Sequence, residues 1–347
     1  MAMTWKAGVI GCGSIAQYMH LPGYAKCPGI SLVAACDPVA ARRREARAFA
    51  EGLRTYADYR RMLASEHLDV VSVSSPNCFH AEHAIAALEA GAHVLLEKPA
   101  ALNMKEIADI RRAVRRSGRK LIVGFSHRFR KGNLIIQKLL RDGAIGEPFM
   151  IRVRFAHAGP YPGWAKSNWF YRPRLAGGGA MLDMGIHAID LALWHIGPVR
   201  SVQATARTLR KKIPVDDNAV LLLEFANRRA LGYIEVGWTS PSGFNGLEII
   251  GDEGAIVQDY TPPGTVTLTV GRISPDTQSK ARPASRVVER NACAGGWDTE
   301  VADSVRAFRR GTDLGAGIDA GGAALAVALA AYESSRTGRR VNVASVR

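Results

Sequence analysis

Six residues near the start of the chain, Gly11-Cys12-Gly13-Ser14-Ile15-Ala16, follow an apolar run from Trp5 to Ile10 and open a helix-like stretch. This GxGxxA arrangement restricts the fold more than any other feature, because its positions have separate steric tasks. Gly11 permits a tight turn after a strand. Gly13 lets backbone come close to a pyrophosphate, and the small Ala16 lets the helix pack near the strand while its free N–H groups face an anion. Ser14 and Ile15 complete the loop. A glycine turn in any α/β fold would satisfy the motif alone. Asp37 adds weight: it ends the next apolar run, Ile30 to Cys36, where a carboxylate accepts hydrogen bonds from the ribose hydroxyls of an adenosine. Its charge repels a 2′-phosphate and so favours NAD, while Arg42, Arg43 and Arg44 follow closely enough to leave NADP open.

The first half continues to alternate apolar runs with helix formers. Val70 to Val73, His93 to Leu96 and Leu121 to Gly124 read as buried strands; Ala40 to Glu51, Phe79 to Ala90 and Met104 to Ser117 read as helices. That pattern predicts an α/β fold with a doubly wound parallel sheet of the Rossmann type. After Gly146 the texture changes to Ile151 to Phe155, Val220 to Phe225, Leu231 to Trp238 and Leu247 to Ile250. With Gly251-Asp252-Glu253-Gly254 as a hairpin turn, these predict a C-terminal α+β domain on a mostly antiparallel sheet. A helix from Ala180 to Ile196 interrupts it, and helices near Thr299 to Arg309 and Ala320 to Ser335 close the chain. The expected division is a dinucleotide-binding domain over residues 1–125 and a second domain over 126–347, whose last helices are free to return to the first. Arg272 to Arg290 reads as a mobile loop.

Composition excludes several classes. With 347 residues and 47% hydrophobic content the chain can bury a large core, so disorder is excluded and two domains are expected. Five scattered cysteines with no CxxC pair argue against a disulfide framework and a structural zinc, and fit a reducing compartment. The excess of 46 Lys and Arg over 31 Asp and Glu raises nucleic acid as a partner. No aromatic residues interleave with the basic runs and no finger or helix-turn-helix accompanies them, so no nucleic acid is expected. No leader-like segment and no membrane-length apolar run stand out, and the expected setting is soluble and cytoplasmic, with no membrane partner.

Two further motifs carry chemistry. Glu97-Lys98-Pro99 ends the strand from His93 to Leu96, at the edge where ligands bind in open parallel sheets, and the proline holds Lys98 extended. A surface lysine ahead of a helix-starting proline fits equally well. In Gly177-Gly178-Gly179-Ala180-Met181-Leu182-Asp183-Met184-Gly185-Ile186-His187, Asp183 and His187 stand four apart on one helix face, a carboxylate beside a candidate base. A packed core histidine is the bland alternative, and a metal set with Asp190 is a weaker one that lacks a fourth ligand. Asn77 and His80 follow the strand Val70 to Val73, at the ligand-facing edge, where helix capping also explains Asn77. Trp164, Trp169, Tyr171 and Arg172 precede the triple glycine and suit either a polar, aromatic-walled pocket or core packing.

Taken in order, these residues resemble the Gfo/Idh/MocA family of oxidoreductases, named after glucose-fructose oxidoreductase and inositol dehydrogenase. The resemblance also takes in His20 with Pro22, Ser75-Pro76-Asn77 with His80, Arg128-Phe129, Gly143 to Pro148 and Tyr332 to Arg339. It implies an NAD(P)-dependent dehydrogenase acting on a hydroxyl of a sugar, inositol or related polyol. By the same resemblance Lys98, Asp183 and His187 are catalytic, with His187 as general base. Gly11, Gly13, Ser14, Ile15, Ala16, Asp37, Asn77, His80, Glu97 and Lys98 hold the coenzyme, and Arg128, Trp164, Tyr171 and Arg172 join the catalytic three around substrate. No metal is expected. The family further implies an open-faced second sheet that pairs subunits into a homodimer or homotetramer. It also contains redox-neutral glycoside hydrolases that use bound NAD, and non-catalytic regulators.

Overall fold

The computed structural model describes residues 4–227, 229–241, 244–271 and 284–345. It divides into two compact units. The first comprises Met1–Phe125, Pro160–Gly177 and Trp297–Leu325; the second comprises Ser126–Gly159, Gly178–Gly296 and Ala326–Arg347.

In the first unit, strands β1 (Trp5–Ile10), β2 (Ile30–Cys36), β3 (Arg54–Tyr56), β4 (Val70–Val73), β5 (His93–Leu96) and β6 (Leu121–Val123) form one parallel sheet in the order β3-β2-β1-β4-β5-β6. Strand order reverses between β1 and β4, the topological switch point where open α/β sheets take ligands beyond the carboxyl ends of their strands. Every residue of β4 is buried, as is usual for a strand covered on both faces. The crossovers are α1 (Leu21–Lys26), α2 (Ala40–Ala46), α3 (Tyr59–Ser65), α4 (His80–Glu89) and α5 (Met104–Ser117). Their ends carry local signals: Asp58 accepts from the N–H groups of Arg60 and Arg61 at the start of α3, and Asn103 from Glu106 N at the start of α5. Gly118, at φ 64°, ends α5 in the left-handed conformation that glycine adopts without strain. The helix expected from Ala40 to Glu51 stops at Ala46, followed by a short 3₁₀ turn over Arg47–Phe49.

The second unit contains α6 (Lys131–Arg141) and a nine-stranded sheet. Its strands are β7 (Pro148–Ala156), β8 (Val199–Arg207), β9 (Asn218–Phe225), β10 (Leu231–Gly237), β11 (Gly246–Gly251), β12 (Gly254–Asp259), β13 (Thr265–Val270), β14 (Ala284–Glu289) and β15 (Val341–Asn342). All neighbours pair antiparallel except β7 with β10. Gly251 and Gly254 close the expected hairpin between β11 and β12. One face packs inward through Ile151, Val153, Leu221, Leu223, Ile234, Val236, Leu247 and Ile249, all essentially inaccessible. The alternate residues Val220, Leu222 and Leu231 are exposed on the other face, as period-two alternation requires. Part of the loop expected from Arg272 to Arg290 is strand β14; residues 272–283 lie outside the described residues.

The remaining helices are α7 (Pro173–Ala176), α8 (Ile186–His195), α9 (Trp297–Arg310) and α10 (Ile318–Thr337). No helix among the described residues is long and apolar enough to cross a membrane.

Candidate functional site

The glycine turn behaves as its sequence dictates. Gly11 sits at φ 91°, and a Cβ there would meet the Ser75 nitrogen at 2.6 Å and the Ser74 carbonyl at 2.7 Å. The strand-to-helix turn therefore excludes any larger residue at Gly11. A Cβ on Gly13 would meet nothing within 4 Å, which leaves its backbone bare on the open side of the loop. The helix that follows Ser14 and Ile15 begins with a π turn, Ala16–His20, and Ala16 is fully buried against the sheet. Ser14 Oγ accepts from Lys166 N at 2.9 Å, and Lys166 Nζ pairs with Glu45 at 2.9 Å.

Asp37 is 2% exposed and fastens the turn: Oδ2 accepts from Cys12 N at 2.9 Å and Oδ1 from Val39 N at 2.8 Å. Arg42 lies 3.6 Å from its carboxylate, and Arg43 donates to the carbonyls of Asp37 and Pro38. Two of the three arginines that left NADP open are thus engaged with Asp37 and its backbone. Burial, with the Asp37 charge adding to it, pushes the Cys12 thiol far up, so the cysteine in this loop stays an inert thiol. A bare glycine backbone beside a fixed carboxylate at the switch point fits a dinucleotide: Gly11, Gly13, Ser14, Ile15 and Ala16 would cradle its phosphates and Asp37 its adenosine ribose.

The edge residues of β4 and β5 are less free than their sequence positions suggest. Asn77 donates through Nδ2 to Ala176 O at 2.8 Å. His80 is 1% exposed, with Nδ1 2.7 Å from Pro99 O and Nε2 2.8 Å from Ser75 O. Burial pushes its pKa down while these two carbonyls pull it upward. Glu97 is buried and turned to His20, whose Nε2 donates to Oε1 at 3.1 Å; Oε2 accepts from Lys98 N at 3.2 Å. Lys98 itself is half-buried at the carboxyl end of β5. Trp164, Tyr171 and Arg172 belong to the same unit, where Phe170 stacks on Trp169 with centroids 4.0 Å apart and meets Trp164 edge-on at 5.2 Å. Tyr171 is held by its hydroxyl to the Tyr161 backbone, and Arg172 is exposed.

The acid and the imidazole lie in the second unit. Asp183 occupies a π turn, Met181–Gly185, that leads into α8, and His187 is the second residue of α8. Insertions of this kind re-aim side chains and recur at functional sites. The turn is fastened from outside: Asp216 accepts from Gly179 N and Met181 N through its carboxylate, from Ala180 N through its backbone carbonyl, and from the Tyr332 hydroxyl. Trp238, fully buried just after β10, donates Nε1–H to Asp183 Oδ2 at 3.2 Å. His127 stacks obliquely on His187 with centroids 4.8 Å apart and is itself packed on Phe155 and Tyr260. Asp183 and His187 are each 7% exposed. Arg128 and Asp190, both buried, form a two-point ion pair at 2.8 and 2.6 Å, so Asp190 serves Arg128. Among the described residues no group of three or more His, Cys, Asp or Glu is arranged to hold a metal. Sequence reasoning missed Trp238, His127, Asp216 and Lys166, none of which belongs to a motif.

Both parts of the chain resemble known proteins. Residues 5–125 match the family model described as an oxidoreductase family, NAD-binding Rossmann fold, and residues 134–257 match the GFO/IDH/MocA C-terminal domain. Inositol 2-dehydrogenase 2 of Saccharopolyspora erythraea is 31% identical over 271 residues, 76% of this chain and 76% of that protein. D-glucoside 3-dehydrogenase of Escherichia coli (strain K12) is 35% identical over 204 residues, 57% of this chain and 56% of that protein; the match thus spans little more than half of that relative. Of solved structures, GenD2 from gentamicin A biosynthesis in complex with NAD aligns with a TM-score of 0.82 at 27% identity, over 99% of this chain and 97% of that one. Aldose-aldose oxidoreductase from Caulobacter crescentus complexed with glycerol aligns at 0.83 and 25% identity, over 98% and 99%. The chain belongs to the Gfo/Idh/MocA family of oxidoreductases and carries that family's NAD-binding Rossmann domain.

Proposed function

We propose that this protein is an NAD-dependent dehydrogenase that oxidises, or in reverse forms, a secondary hydroxyl on a sugar, inositol or related polyol. Bound NAD supplies the hydride acceptor. His187 takes the proton from the substrate hydroxyl, Asp183 orients the imidazole and stabilises its charge, and Lys98 hydrogen-bonds the reacting oxygen as it becomes a carbonyl. Trp164, Tyr171 and Arg172 supply aromatic and polar walls for a ring of hydroxyls, while Arg128, engaged by Asp190, contributes through the placement of α8. The observation that carries the reading is the fixing of Asp183 by the Trp238 indole beside a nearly buried His187 on the start of α8. Relatives named for inositol, glucoside and levoglucosan oxidation support the substrate class.

The test is a panel of inositols, hexoses and glycosides with NAD or NADP, read by absorbance of the reduced nicotinamide. Reduced coenzyme formed with a polyol supports the proposal; no reduction across the panel defeats it. Cleavage of a nitrophenyl glycoside with no net reduction would replace it with the redox-neutral glycosidase. NAD binding with neither reaction would replace it with a regulator.

A homodimer or homotetramer belongs to the same proposal, supported by the apolar Val220, Leu222 and Leu231 on the outer face of the second sheet. Sedimentation as a monomer at micromolar concentration would remove it. A cytoplasmic setting is also part of the reading, supported by five cysteines that are all free thiols.

A further inference from the structure

Behind Lys98, inside the first unit, lies a buried group of ionisable side chains that the proposed reaction does not use. Glu97 has its two carboxylate oxygens on two donors, His20 Nε2–H and the Lys98 peptide N–H. Glu300, in the first turn of α9, is 0% exposed, and neither of its carboxyl oxygens has a hydrogen-bond partner among the described residues. The same holds for Ser304 Oγ one turn further along α9 and for the fully buried His20 Nδ1. Helix α9 packs on the π turn that ends in His20 and on β5, the strand that leads to Glu97, and the charges of Glu97 and Glu300 act on each other.

Two carboxylates cannot both stay ionised in such a place. A buried carboxylate without donors or a counter-ion is far costlier than the neutral acid, and a like charge nearby adds to the cost. Glu97 has the donors and Glu300 has none, so the proton belongs on Glu300. The other groups do not reverse this. Asp303, on the same helix, pushes Glu300 in the same direction as Glu97 does. On the elements packed against α9, the Tyr24 hydroxyl is shared with Ser72 Oγ, His93 Nδ1 accepts from Lys120 N, and Lys26 is exposed. Burial opposes the ionised form of Glu97, but the hydrogen bond from His20 and the charges of His20 and Lys98 outweigh it and hold its carboxyl below the usual range.

We propose that His20, Glu97 and Glu300 are positioning residues for Lys98: Glu300 holds a proton, and Glu97 holds the negative charge that anchors the Lys98 backbone and balances its ammonium. This rests on the dehydrogenase reading of Lys98. It gives Glu97 a role through Lys98 in place of direct coenzyme contact.

Two measurements test it. In the coenzyme-free full-length protein at pH 7, infrared spectroscopy should show the carbonyl stretch of a protonated, buried carboxylic acid that disappears in Glu300→Gln; no band, or a band that survives the substitution, overturns the assignment. In the enzyme, Glu97→Gln should lower kcat at least tenfold, change the pH profile of kcat and leave the NAD dissociation constant within about threefold, while Glu97→Asp recovers part of the loss. Unchanged kcat in Glu97→Gln overturns the positioning role, and a large loss of NAD affinity returns Glu97 to coenzyme binding. Should Glu97→Gln fail to fold, His20→Asn carries the same kinetic expectation. A wild-type protein inactive on every polyol would defeat the dehydrogenase reading and leave the infrared result standing, so the two failures are distinguishable.

Discussion

The Trp238 indole N–H donates to Asp183 Oδ2 across 3.2 Å, joining the end of strand β10 to the turn that launches helix α8. A buried hydrogen bond to a carboxylate fixes orientation as well as energy. Trp238→Phe keeps most of the ring and removes the donor. The expected result is a loss of roughly tenfold in kcat with little change in KM, as for about 1.4 kcal/mol of lost orientation. Steady-state kinetics with the best polyol checks it; an unchanged kcat would show that Asp183 needs no such anchor.

Lys98→Ala and His187→Ala should each reduce turnover by roughly a hundredfold or more while NAD binding is nearly preserved, because the proposed mechanism has both act on substrate. If the two act on one oxygen, the double variant should lose much less than the product of the single losses. Full multiplicative loss would separate their roles.

Asp37→Ala removes the acceptor for the Cys12 and Val39 N–H groups and the charge beside Arg42. NAD binding should weaken, and the NADP to NAD affinity ratio should rise, because the repulsion of a 2′-phosphate is gone and Arg42 is released. Fluorescence titration with the two reduced coenzymes measures the ratio. A variant with the original preference would dismiss the ribose role.

His195, at the end of α8, is buried with its Nδ1 accepting from Gln137 Nε2, and burial pushes its pKa down to about 3. The positive charge of Arg128 adds to the shift. The unfolded imidazole titrates near 6.5. Below that pH the unfolded chain binds a proton that the folded chain refuses, so stability is complete above about 6.5 and declines as the medium is acidified toward 3. At pH 5 the loss from this group is about 2 kcal/mol. Urea denaturation of His195→Asn should show lower stability at pH 7 but a shallower decline from pH 7 to 5; identical slopes would assign the acid sensitivity elsewhere.

The parallel sheet was readable because buried strands such as Val70–Val73 and His93–Leu96 are continuous apolar runs, each followed at once by polar residues. Arg54–Tyr56 escaped notice because three residues are too few to show a period. The π turns at Ala16–His20 and Met181–Gly185 are shifts in hydrogen-bond register with no compositional mark. Trp238 and His127 stand 55 and 60 residues from the side chains they support, which only sheet pairing and packing bring to them. The placement of Asp183 and His187 one helical turn apart was visible in their spacing; what holds them was not.

Asp216 has a consequence for engineering. One carboxylate and its own carbonyl moor the backbone of Gly179, Ala180 and Met181 and receive the hydroxyl of Tyr332. The aim of the proposed acid–base pair is therefore relayed from a loop ahead of β9 and from a helix near the far end of the polypeptide. Shortening α10 before Tyr332, or grafting the triple-glycine helix into another scaffold without an equivalent of Asp216, would transplant the reactive groups without their bearing.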